Sequence, residues 1–254
     1  MDPRLYRYAM SGDTNSLRKL VEEEEDQLDL TLQLTPQSNN ALHIAAQHGH
    51  RDIAETLISL SPSLLFRSNS DGDLPLHVAS REGHGSLVEV LINSLIHSNC
   101  DEVTDLESTS EAPPVVWQKR NLKGNTVLHE ALRFRRAKVA VELLILDPRL
   151  ADGLNHAGES LLYLACELQM MVVVESILSR LRSTYRTDGL NGRTPFHASA
   201  MKKHFGMSPT YTCTKPVNRR IGYTNIHRIW ILIFIFGSLR IRIRYGFFLD
   251  NWHV

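Results

Sequence analysis

Histidine is the side chain best suited to acid–base or metal chemistry near neutral pH, and this chain of 254 residues carries twelve. Four of them share a local setting: His43 in Ala-Leu-His-Ile-Ala-Ala, His77 in Pro-Leu-His-Val-Ala-Ser, His129 in Val-Leu-His-Glu-Ala-Leu and His197 in Thr-Pro-Phe-His-Ala-Ser. Tyr163, in Leu-Leu-Tyr-Leu-Ala-Cys, fills the same setting. The interval is 34 residues from His43 to His77, from His129 to Tyr163 and from Tyr163 to His197. Each landmark therefore belongs to its own copy of a repeated unit. Copies displaced along a stack cannot bring these rings to one ion. The expected job of each ring is a hydrogen bond to the backbone of a neighbouring loop, made by a buried, neutral imidazole. His48 and His50 lie beside His43 but lack a third convergent ligand. A Gly-rich phosphate loop, a Gly-x-Ser-x-Gly elbow and a Cys–His pair in a family context are all missing. The sequence predicts no enzyme, no catalytic residue, no metal and no cofactor.

The elements that position the landmarks follow from the residues around them. The preceding residue is always apolar: Leu42, Leu76, Leu128, Leu162 and Phe196. Small residues follow two and three places later, among them Ala45 with Ala46 and Ala165 with Cys166. Further along, Ile53, Leu57 and Ile58 have counterparts in Leu87, Leu91 and Ile92, in Val139, Leu143 and Leu144, and in Val173, Ile177 and Leu178. That spacing puts them on one helical face. The unit reads as helix, tight turn, helix. Gly49 and Gly83 stand at the turn and permit a left-handed backbone; Arg135 and Gln169 replace them in later copies and make less comfortable turns. Turn-rich stretches before each landmark, such as Asp71-Gly72-Asp73 and Lys123-Gly124-Asn125, read as β-hairpin-like loops.

This unit resembles the ankyrin repeat, whose pattern is Thr-Pro-Leu-His-x-Ala. Thr194-Pro195-Phe196-His197 is close to that pattern, and Leu74-Pro75-Leu76-His77 keeps Pro-Leu-His. The stretch Gly124-Asn125-Thr126-Val127-Leu128-His129-Glu130-Ala131-Leu132 is similar to repeats of plant ankyrin proteins of the accelerated-cell-death type. The resemblance implies an all-α ankyrin-repeat solenoid with β-hairpin loops. It also implies protein–protein interaction in plant defence or cell-death signalling, and a membrane-spanning carboxy-terminal region that this chain lacks.

The expected organisation is an array over 1–204. It opens with a capping repeat at 1–38, in which Leu5-Tyr6, Ala9 and Gly12 stand at degenerate repeat positions. Repeats lie near 39–70, 71–94, 121–154 and 155–188, with a partial copy at 189–204. From His77 to His129 is 52 residues, 18 more than the period. The surplus is polar, acidic and proline-bearing, so 95–120 reads as a mobile acidic insertion. It is either a tolerated insertion or a segment regulated by phosphorylation at Ser108, Thr109 or Ser110. Residues 205–254 read as an irregular basic and apolar tail, because Pro209 blocks the expected second helix. Its apolar run, Ile229–Phe236, is eight residues long, against the ~20 of a spanning helix. The tail reads as an interfacial anchor, a β-hairpin, or a stretch outside the true reading frame.

Charge narrows the partner class. Lysine plus arginine and aspartate plus glutamate number 28 each. Residues 1–188 hold 18 basic and 27 acidic side chains, and residues 189–254 hold 10 and one. An acidic array argues against nucleic acid. The run from Glu22 to Asp26 reads as a solvated loop or, more sharply, as a dock for a basic partner. Cys100, Cys166 and Cys213 form no disulfide framework or zinc spacing, which favours a reducing compartment, with Cys166 a buried thiol. The amino terminus is no signal peptide.

The expected product is a monomeric, cytoplasmic array whose unknown protein partner meets the first helices and loop tips. A membrane role, at its cytoplasmic face, would come through the family or the tail. Candidate contacts on the helices are Gln47, His48, Arg81, Glu82, Arg133, Phe134 and Arg136. Those at the loop tips are Asp71, Asp73, Lys123, Asn125, His156, Glu159 and Arg193. Phe134 among arginines is an anchor type enriched at interfaces. Two other readings remain open: a truncated form of a multi-pass membrane ankyrin protein, and a soluble adaptor regulating an enzyme or transcription factor.

Overall fold

A computed structural model describes residues 1–24, 29–100, 116–180, 189, 192–195 and 197–198. The tail at 205–254, the centre of the insertion with Ser108, Thr109 and Ser110, and Glu25 and Asp26 of the acidic run lie outside the described residues. Among the described residues ten α-helices form five antiparallel pairs: α1 Pro3–Ser11 with α2 Thr14–Glu23, α3 Ala41–His48 with α4 Arg51–Leu60, α5 Pro75–Glu82 with α6 Gly85–Cys100, α7 Val127–Arg133 with α8 Ala137–Leu146, and α9 Leu161–Glu167 with α10 Met171–Arg180. The odd-numbered helices stack in an inner row and the even-numbered ones in an outer row. This is the all-α solenoid expected from the 34-residue beat.

Local chemistry sets the helix ends. Asp13 accepts from the Ser16 amide at 3.0 Å, Asn40 from the His43 amide at 2.9 Å and Ser160 from the Tyr163 amide at 3.2 Å, each satisfying a first-turn N–H. Gly12, Gly49 and Gly83 end the first three inner helices with φ of 80°, 77° and 87°. The small residues after each landmark let inner helices approach closely: Ala45, Ala46, Ala79 and Ala165 are all buried. The outer-helix series Ile53 and Leu57, Leu87 and Leu91, Val139 and Leu143, Val173 and Ile177 is buried throughout. One continuous core runs between the two rows.

Among the described residues the loops before the inner helices are tight, hairpin-like turns without extended strands, one of them closed by an isolated antiparallel bridge between Leu154 and Ser160. The Asn69 amide bonds the Asp73 carbonyl, Asn121 bonds Asn125 and Asn155 bonds Glu159, at 2.9, 2.9 and 3.2 Å. Successive turns are joined by one backbone–backbone bond each, Ser70 to Gln37, Leu122 to Asp71 and His156 to Lys123, at 3.0, 3.0 and 3.1 Å, beside side-chain bonds such as Asn69 to Asn39 at 2.9 Å.

The structure corrects the limits of the insertion. Leu95 continues the Leu87–Leu91 stripe by one more turn and is fully buried, so α6 runs on to Cys100 where a loop was expected from 95. At the other end, Val116–Gln118 forms a 3₁₀ turn. It stands at the register of the 3₁₀ turns Pro62–Leu65 and Pro148–Asp152. Trp117 is 12 residues before His129, as Leu65 is before His77 and Ala151 before Tyr163. Its indole N–H donates to Asp147 at 3.2 Å, beside an amide bond from Gln118 at 3.0 Å. Burial pushes the Asp147 carboxyl up, but bonds from Arg149, Gln118 and Trp117 outweigh it and hold the carboxyl below its usual range. The unit is thus re-entered at residue 116.

Two substitutions test this account by urea denaturation. At Gly49 a Cβ would lie 2.6 Å from the His84 ring on a left-handed backbone. Gly49→Ala is expected to lose at least about 1–2 kcal/mol. The buried Ser80 hydroxyl has no hydrogen-bond partner among the described residues, so Ser80→Ala is expected to be neutral or stabilising by up to about 1 kcal/mol. An unchanged midpoint for the first, or a clear loss for the second, would contradict the packing described.

Candidate functional site

The histidine landmarks perform the structural job expected of them. Nδ1 of His43 accepts the Asn40 amide at 3.3 Å, while Nε2 donates to the Asp73 carbonyl of the next unit at 2.9 Å. Nδ1 of His77 accepts from Leu74 at 3.2 Å and Nε2 donates to the Lys119 carbonyl at 3.2 Å. His129 accepts from Thr126 at 3.2 Å and donates to the Glu159 carbonyl at 3.4 Å. All three rings are buried. Desolvation lowers His43 and His129 to about 4, and lowers His77 as well. Protonating Nδ1 would set N–H against N–H in a dry site. His197 departs from the expected burial: its Nδ1 accepts the Thr194 amide at 3.1 Å, but its ring is exposed, since no further described repeat covers it.

Tyr163 fills the same slot by shape. It is buried, and a Cβ at position 189 would lie 2.2 Å from its ring. The first residue of that loop is Gly189, where the preceding loops have Asn69, Asn121 and Asn155. The larger ring therefore coincides with a missing side chain opposite it.

Those asparagines organise a buried polar network that corrects three of the loop-tip candidates. Asp73, Asn125 and Glu159 were expected at exposed tips, yet they are 0%, 1% and 7% exposed. Asn121 donates to Asp73 at 2.8 Å and to Glu130 at 3.0 Å, and Asn155 donates to Asn125 at 3.1 Å and to Glu159 at 2.7 Å. Arg81 bridges Asp73 and Glu130, and Arg133 pairs with Glu159. Burial pushes Glu130 up, but bonds from Arg81, Asn125 and Asn121 prevail and hold it below the usual carboxylate range. Desolvation acts against the charge on Arg81, but bonds from Glu130 and Asp73 raise its pKa overall. These carboxylates are occupied inside the stack, so a partner cannot reach them. The signal in the sequence is the Asn eight residues before His77, His129 and Tyr163.

What remains at the surface is a subset of the candidates. Gln47, His48, Asp71, Lys123, Arg133, Phe134, Arg136 and His156 are exposed, while Arg81, Glu82 and Arg193 are partly buried. Phe134 is 49% exposed, with its ring 5.4 Å from the Arg81 guanidinium. Leu122, 71% exposed at a loop tip, was not singled out by the sequence reading.

A second set of inter-unit links runs along the helix–helix turns. His50 donates to the Met10 carbonyl at 2.8 Å, His84 to that of Gln47 at 3.2 Å and Arg136 to that of Arg81 at 2.9 Å. Each donor crosses a turn glycine so closely that a Cβ there would come within 2.6–2.8 Å. At the next junction the corresponding residue is Met170, which has no side-chain donor. The link reverses: Arg135, at φ 59°, donates forward to the Leu168 carbonyl at 3.1 Å.

Comparison with known families agrees with this geometry. Residues 5–105 match the family model described as Ankyrin repeats (3 copies). No match was found among curated proteins. The fold is an ankyrin-repeat solenoid, and the helix pairs beyond the matched residues keep the same hydrogen-bond register. Among the described residues, no group of three His, Cys, Asp or Glu side chains is placed to hold a metal ion.

The buried rings make stability fall with acid. The unfolded value of 6.5 lies above the folded value of about 4 for His43 and His129. Stability is therefore complete above pH 6.5 and lost as pH falls towards 4, on the order of 3 kcal/mol per ring. Glu130 and Asp147, whose values are depressed, lose their contributions only below the ordinary carboxylate range. Urea midpoints measured between pH 7.5 and 4.5 should decline below about 6.5. A flat profile would mean that the rings are not held neutral.

Proposed function

We propose that this chain is a protein-interaction scaffold acting through its inner-helix face and loop tips, without catalysis. The observation that carries the reading is Phe134, a half-exposed aromatic ring steadied by a buried ion-pair network. Order in the unbound state reduces the entropy lost on binding. Ankyrin-repeat stacks are interaction modules, which supports the same conclusion. The acid excess of residues 1–188 favours a protein partner over nucleic acid. We take the array to be monomeric.

The finer role proposed is plant defence or cell-death signalling at the cytoplasmic face of a membrane. It rests on the resemblance of residues 124–132 to the accelerated-cell-death type. No helix among the described residues is long and apolar enough to cross a membrane. Fractionation of the endogenous protein tests this part: recovery with membranes supports it, and recovery wholly in the soluble fraction removes it.

The interaction surface is tested with the full chain as bait in crosslinking capture. Alanine at Gln47, His48 and Phe134 is expected to reduce a captured partner by at least about tenfold. Alanine at Arg18 and Arg51, exposed on the outer helices, should leave it unchanged. If every captured partner survives the inner-face substitutions, the proposed surface is wrong.

A further inference from the structure

Four helix–helix turns share one geometry but differ sharply in chemistry. They read Gln47-His48-Gly49-His50, Arg81-Glu82-Gly83-His84, Arg133-Phe134-Arg135-Arg136 and Glu167-Leu168-Gln169-Met170. The third position is left-handed in all four, with φ of 77°, 87°, 59° and 59°. Glycine does that job with least strain, and a side chain there costs about 1–2 kcal/mol. The left-handed turn itself therefore requires neither arginine nor phenylalanine, although Arg135 and Arg136 also carry the inter-unit links described above.

Their charges are not equivalent. Arg133 is neutralised by Glu159. Arg135 is held by a neutral acceptor, the Leu168 carbonyl. Arg136 is held by the Arg81 carbonyl at 2.9 Å and forms a longer ion pair with the partly exposed Glu82 at 3.8 Å. Lys138 is wide open, with Glu142 at 3.9 Å. Backbone carbonyls thus position two guanidiniums; Arg136 shares its charge with Glu82, and Arg135 has no ion pair among the described residues. Just before them in sequence stands Phe134, its ring against the guanidinium of Arg81, whose own charge is taken by Asp73 and Glu130.

We propose that the α7–α8 turn binds a short acidic peptide segment in which an apolar side chain is flanked by carboxylates. The apolar side chain would pack on the open part of the Phe134 ring, and the carboxylates would meet the planar forks of Arg135 and Arg136. A long polyanion is disfavoured, because the surrounding array is acidic overall. The inference rests on the interaction reading above and names the class of partner at one part of that surface.

The test uses the full chain and a short fluorescent peptide of repeating Glu-Leu-Glu units, followed by anisotropy. Its Gln-Leu-Gln counterpart should bind at least about tenfold more weakly, and added salt should weaken the acidic peptide. Arg135→Gly restores the residue found at the preceding turns, so the melting temperature should hold or rise while affinity falls about tenfold. Arg136→Gln and Phe134→Ala should weaken binding similarly. Equal binding of the two peptides, unchanged affinity in Arg135→Gly, or equal binding to duplex DNA or anionic phosphatidylserine vesicles would overturn the proposal. Failure of the acidic peptide to bind would overturn it too, while a partner lost from capture on inner-face substitution would still stand. Only survival of every captured partner would remove the interaction reading itself.

Discussion

Each stacked landmark histidine must be neutral, because its ring works as an acceptor on one side and a donor on the other. Nδ1 takes the N–H that opens its own helix, and Nε2 gives its proton to a carbonyl of the following unit. The first bond closes the local turn. The second ties that turn to its neighbour. No single pair of helices has enough apolar area to hold itself, so stability depends on such junctions as well as on the shared core. A cation at this position would lose the acceptor and bury a charge together. The loop backbones, the inner helices and the polar network behind them are all placed relative to these rings.

Much of this was legible in the sequence, for a physical reason. Helix burial has a 3.6-residue period and the unit a 34-residue one, so the positions of Ile53, Leu87, Val139 and Val173 identify one another. The ring bonds were legible for the same reason, since an identical slot in separate units excludes a shared ion. The buried state of Asp73, Asn125 and Glu159 was not. Aspartate, asparagine and glutamate beside a turn glycine look like surface residues, and part of what encloses them comes from far along the chain. Asp73 is met by Asn121, 48 residues on, and Arg81 reaches Glu130 across 49. The composition around Asp73 does not show such a partner; only the recurrence of Asn69, Asn121 and Asn155 from unit to unit does. The insertion was misjudged at its edges for a related reason: Leu95 and Trp117 are single apolar residues beside a polar stretch, and their burial depends on neighbours that composition does not show.

The departures from the repeat come in compensating pairs. Glycine is required at a turn where the next unit sends a side chain across it, as His50, His84 and Arg136 do. It is absent at Arg135, where the next unit offers Met170, and there Arg135 makes the link itself. Tyr163 replaces histidine where Gly189 replaces asparagine, and the extra ring volume lies where a side chain is missing. Such pairs show why one irregular residue is a poor guide to a failing repeat. Its meaning depends on the residue one unit away. The insertion obeys the same logic, because Trp117 re-enters the stack by bonding Asp147 of the unit that follows.

These couplings also decide what the surface can recognise. A charged residue on the inner face is open to a partner only if the stack has not already used it. Arg81, Asp73, Glu130 and Glu159 are consumed internally, and Arg133 largely so. Their consumption still matters, because a guanidinium fixed between two buried carboxylates is a rigid platform, and Phe134 rests on it. Removing Arg81 would therefore harm the surface twice, by leaving two buried carboxylates short of a partner and by freeing the aromatic ring. Recognition falls to groups whose position is set by neutral backbone acceptors, for only they are both ordered and electrostatically available. Arg135 meets both conditions and Arg136 meets them in part, its charge being shared with Glu82; both follow in sequence the ring that the buried network steadies.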